Sequence, residues 1–155
     1  MSDNKKQLIL EAYRRSEARL SAQQQLAIAA DQRAVTFAGI IFAAAMVLTG
    51  IVANSDDAGS LIFTVILLLV SAFCSAWSAL PADFGVVGGR YDDMEEDIHS
   101  DSNSLKVLEE IGAHNDEHIR DNDIIMNGNG TMMKTSFFFA VIAPLPALLV
   151  EFFGI

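Results

Sequence analysis

The sequence predicts an all-α membrane protein. It has three transmembrane helices, a long N-terminal cytoplasmic helix continuous with span one, and a second cytoplasmic helix between spans two and three. Two observations predict this. The apolar residues are gathered into three blocks long enough to cross a bilayer, and every Lys and Arg lies on one side of those blocks. Composition agrees: the chain is 52% hydrophobic and 19% charged, against about 45–50% and about 25% for soluble domains.

The first block is residues 34–53, the second residues 60–80 and the third residues 134–155, within a single membrane domain. About 20 apolar residues span the hydrocarbon core as a helix, and a helix satisfies its own backbone there. The first two blocks carry no charge. The third is interrupted by Pro144, Pro146 and Glu151, and its prolines predict a kink. The first block starts behind a long charged segment, which does not fit the short flank of a cleaved leader.

Orientation follows from the ten basic residues. Lys5, Lys6, Arg14, Arg15, Arg19 and Arg33 precede span one, Arg90, Lys106 and Arg120 lie between spans two and three, and Lys134 sits at the mouth of span three. The turn 54–59 and the C-terminal end have none. The positive-inside rule makes the basic side cytoplasmic and counts acidic residues little. The 13 acidic residues from Asp83 to Asp123 therefore leave the assignment standing. The N-terminus is expected in the cytoplasm and the C-terminus outside.

Residues 4–33 hold no Pro or Gly and are rich in strong helix formers. No breaker separates them from span one, which predicts one helix of about 50 residues, roughly 75 Å long. Ile9, Tyr13, Ser16, Leu20, Gln23, Ala27 and Ala30 form a weakly apolar stripe suited to packing on another helix. Pro81 ends span two. A loop follows, with Gly85, Gly88, Gly89 and the acidic run from Asp92 to Asp97. Ser102 or Ser104 caps a helix from about Leu105 to Met126, with a stripe of Leu105, Leu108, Gly112, Asn115, Ile119, Asn122 and Met126. Asn127-Gly128-Asn129-Gly130 is a double turn signal, expected to break this helix before span three.

No catalytic constellation is visible. His114, Glu117 and His118 match a short zinc-protease pattern, but no third protein ligand is in prospect, so no metal or cofactor is expected. Asp92–Asp97 lacks the alternation and glycine of a calcium loop. Cys74, in an apolar run, reads as packing. The candidate ligand site is the cluster Lys5, Lys6, Arg14, Arg15 and Arg19, because guanidinium forks suit phosphate oxygens; the plainer reading pairs it with Glu11, Glu17 or the acidic loop. Arg33 is placed to anchor at the membrane edge. The pore candidates are Ser71, Ser75 and Ser78, which share one face of span two, and Glu151, whose carboxylate would form a ring in a symmetric oligomer. Such serines also mark plain helix contacts in lipid.

Ala29-Ala30-Asp31-Gln32-Arg33-Ala34, leading into Phe37-Ala38-Gly39, together with Pro81, Asp83 and Phe84 after span two, resembles a group of small bacterial three-span membrane proteins. The architecture is similar to effectors of anti-phage nucleotide-signalling systems, such as SLATT-type proteins and the Hailong effector. The resemblance implies a homo-oligomer, tetramer favoured, forming an ion channel in the bacterial inner membrane. It also implies a nucleotide or single-stranded oligonucleotide ligand made by a partner nucleotidyltransferase. The alternative is a non-conducting membrane scaffold whose Leu105–Met126 helix recruits a cytoplasmic protein, with Asn115 and Asn122 setting register.

Overall fold

A computed structural model describes residues 3–54, 59–88 and 104–153. Four helices make up almost all of it: α1 (Asp3–Val52), α2 (Gly59–Ser78), α3 (Ser104–Ile142) and α4 (Leu145–Phe153). Among the described residues there is no strand. Three helices are long and apolar enough to span a bilayer: α1, α2, and α3 taken with α4. The acidic run Asp92–Asp97, Arg90, Ser102 and the turn residues Asp56 and Asp57 lie outside the described residues.

Helix α1 runs unbroken for 50 residues, as its lack of breakers predicts. Helix α2 ends at Ser78, and Ala79 and Leu80 close it with N–H bonds to the carbonyls of Ala76 and Trp77. The turn signal at residues 127–130 does not break α3, which is helical from Ser104 to Ile142. Two glycines in a helix cost only about 1 kcal/mol each against alanine. Fixed contacts on both flanks outweigh that: Asn115 and Asn122 below the signal, Ser136 above it. The break comes instead at Ala143–Pro144. The Pro144 ring cannot donate a backbone hydrogen bond and clashes with the preceding turn.

The chain divides into two compact units, Met1–Ile28 with Ala82–Met126, and Ala29–Pro81 with Asn127–Ile155. In the first unit, α1 and α3 run parallel: Ser16 meets Asn115 and Gln23 meets Asn122, a separation of 99 residues both times. Both expected stripes form this seam. Ser16, Leu20 and Gln23 are buried against Asn115, Ile119 and Asn122. Ile9, Tyr13, Leu105, Leu108, Gly112 and Met126 are half-buried at its margins, while Ala30, in the second unit, is exposed.

In the second unit α2 runs antiparallel to both neighbours. Ser75 meets Ala34 and Met133, Ser71 meets Ser136, and Leu68 packs with Ala45 and Ala143. The buried residues are mostly small, namely Ala34, Ala45, Ala72, Ala143 and the serines. Small side chains let helix backbones approach closely, the main source of association in lipid. Large apolar side chains such as Phe42, Phe63, Phe138 and Phe152 face outward, which suits a lipid solvent. Helix α4 packs on α2.

Candidate functional site

The N-terminal basic cluster sits on α1 in the first unit, and all five of its residues are exposed. Two are engaged. Arg15 Nε donates to Glu11 Oε1 at 2.8 Å, one turn back along the helix. Arg19 reaches Asp123 on α3 at 3.3 Å. Lys5, Lys6 and Arg14 form no ion pair among the described residues. Arg14 and Glu11 border a shallow depression with Asn4, Gln7, Leu8 and Leu10. One helix alone supplies that lining, so it is a surface rather than an enclosed site.

Beside the cluster, the Tyr13 hydroxyl donates to Glu17. That bond, then burial, then the charge of Glu17 push the Tyr13 phenol above its ordinary value of 10.0. Ser16 donates to the Tyr13 carbonyl at 2.8 Å and accepts from Asn115 at 3.2 Å.

Asn122 in the first unit is at zero exposure and makes three hydrogen bonds. Its amide grips the backbone of Gly85: the Gly85 N–H donates to Oδ1 at 2.8 Å, and Nδ2 donates to the Gly85 carbonyl at 3.0 Å. Nδ2 also reaches Gln23 Oε1 at 3.4 Å. Gln23 in turn donates to the Ile119 carbonyl and to Asp123. This clasp fastens the segment after α2 onto the α1–α3 seam. A Cβ at Gly85 would lie 2.6 Å from the His118 Cβ, so only glycine fits without displacement. Asn115 and Asn122 are thus spent inside the chain, and a scaffold using them to set register with a second protein would have to break these bonds.

In the second unit the three pore-candidate serines are buried. Ser71 and Ser136 exchange hydrogen bonds, each hydroxyl donating to the other's carbonyl at 2.8 and 2.7 Å. Ser75 donates to the Ala34 carbonyl at 2.8 Å and touches Met133 Sδ at 3.3 Å. Ser78 donates to the Ser75 carbonyl at 2.8 Å. Their hydroxyls therefore stitch α2 to its neighbours and to itself within one copy. Glu151 is placed differently: it is exposed on α4, which buries none of its own residues.

Sequence reasoning singled out neither Ser136 nor the Asn122–Gly85 clasp. The Thr135-Ser136 pair at the head of the third block was the only signal for the first. The second joins residues 37 apart in sequence, and no local pattern announces it. Among the described residues no buried side-chain N or O lacks a partner, and no group of three or more His, Cys, Asp or Glu is placed to hold a metal ion. His114 and His118 stack edge to face with ring centroids 4.2 Å apart.

Comparison of the chain with known protein families, curated proteins and solved structures finds no match.

Proposed function

We propose that the protein is an oligomeric inner-membrane ion channel acting as an anti-phage effector. Its cytoplasmic side is gated by an anionic nucleotide or short nucleic acid. The observation that carries the reading is Glu151, a carboxylate exposed on an otherwise apolar helix. An ionisable group in such a place needs water or a partner, and a symmetric ring of carboxylates around a shared path supplies water and selects cations. Within one copy Ser71, Ser75 and Ser78 are consumed in packing and line no path. Conduction then runs between copies.

Two further observations support the reading. All ten basic residues lie on one side of the apolar blocks in the sequence, which supports a cytoplasmic first unit and a periplasmic C-terminus. Lys5 and Lys6, exposed and without an ion pair among the described residues, give an anionic ligand its contacts. The resemblance to bacterial nucleotide-signalled effectors agrees with a ligand made by a partner nucleotidyltransferase.

The test is flux through liposomes holding the purified protein. Cation flux is expected, and Glu151→Gln is expected to lower the cation-to-anion preference severalfold while leaving the helix content unchanged. Liposomes that pass no ions with or without added nucleotide would falsify the reading.

A further inference from the structure

The two helices of the first unit meet along one face each, and their opposite faces differ in the charge left over from pairing among the described residues. On α1 Glu11 is taken by Arg15, leaving Arg14. On α3 Lys106 and Glu110 pair with each other, leaving Glu117 and Asp121 against Arg120. Each helical residue turns by about 100°. Arg14, two residues before the buried Ser16, therefore faces about 160° away from the seam. Glu117 stands in the same relation to the buried Asn115. Both are exposed. Arg14 makes no ion pair among the described residues, and Glu117 has only the His114 ring, 4.0 Å away. Ala18 beside Arg14 and Ala113 beside Glu117 are exposed and small, so these outer faces admit close approach.

We propose that a second copy of this chain docks the outer face of its α3 on the outer face of α1, with Glu117 opposite Arg14. Repetition of this contact closes the copies head-to-tail into a ring. The inference rests on the oligomer proposed above and names the surfaces that build it. Glu11 and Glu110 are held in pairs along their own helices. Two α1 faces would then bring Arg14 near Arg14, and two α3 faces would bring net negative charge near net negative charge, whereas the unlike pairing sets Arg14 against Glu117. A heterologous contact that closes is a ring.

The register agrees. Rotation about an axis parallel to these two helices keeps each residue at one level in every copy. Within a copy, residues 99 apart on α1 and α3 are level. Arg14 is then level with Ala113 of the next copy, between Glu110 and Glu117, one turn to either side. Glu110 is already paired with Lys106 at 3.3 Å, which leaves Glu117 for Arg14. Lys5 and Lys6, which form no ion pair among the described residues, are left to the anionic ligand.

The test is the mass of the full chain in detergent, by light scattering, with charge reversals. Arg14→Glu and Glu117→Arg are each expected to weaken assembly at least tenfold and to yield monomer. The double variant is expected to restore the ring, as is an equal mixture of the two single variants, which can alternate around it. Restoration shows that the single variants were not misfolded. Single variants with unchanged mass, or a double variant that stays monomeric, overturn the inference. A ring indifferent to charge reversal defeats this interface and leaves the channel proposal standing, whereas a monomeric wild type defeats both.

Discussion

Individual side chains in the first unit are bound by hydrogen bonds more than by apolar contact. The Asn122 amide satisfies both backbone groups of Gly85. Asn122→Ala leaves that N–H and carbonyl without partners, which should cost about 2–3 kcal/mol. Gly85→Ala instead drives a methyl into His118 Cβ, an overpacking worth about 1–3 kcal/mol. Thermal unfolding in detergent checks both, and His118→Gly is expected to rescue Gly85→Ala but not Asn122→Ala. Tyr13 supplies a pH dependence. Its phenol pKa is raised chiefly by the bond to Glu17. The contribution of that bond is complete below pH 10 and is lost as pH climbs through the raised value. With Tyr91→Phe as background, the ultraviolet titration of Tyr13 should have its midpoint above 10, and Glu17→Gln should bring it back down.

Each helix reflects a contest between local propensity and fixed contacts. Residues 127–130 hold two Asn-Gly pairs, yet α3 passes through them. A Cβ at Gly128 or Gly130 meets nothing within 4 Å. Gly128→Ala and Gly130→Ala should each stabilise the helix by about 0.5–1 kcal/mol, read as higher melting temperature and slower amide exchange. Had the segment been a turn, both would destabilise. The element boundaries show how far local rules reach. The unbroken α1 follows from the absence of Pro and Gly before Ala38 and of any turn signal after it. The stop after α2 follows from Pro81, and the break at Ala143–Pro144 from the proline ring. Asn127–Gly130 was misread because a turn signal states only a local preference. Its strength, about 1 kcal/mol per glycine, is small beside contacts made by Asn122 and Ser136 on either side.

For the whole molecule, the proposed channel depends on assembly. The packing of the second unit uses up the hydroxyls of Ser71, Ser75, Ser78 and Ser136 and leaves Glu151 exposed. Bulky substitution at Ser75, which is wholly buried, should therefore disrupt the packing of a single copy and lower its thermal stability, whether or not ions flow. The sequence by itself determined three apolar helices, the segregation of the basic residues, and the two seam stripes. These are matters of composition and of a 3.6-residue period, which are written along the chain. Only the tertiary structure decided which polar residues are spent and which are free. Ser71, Ser75 and Ser78 look the same in sequence whether they line water or bond a neighbouring carbonyl, and only the facing helix distinguishes the two. The same holds for the basic cluster: Asp123, more than a hundred residues away, takes Arg19, and the direction of the seam leaves Arg14 facing outward.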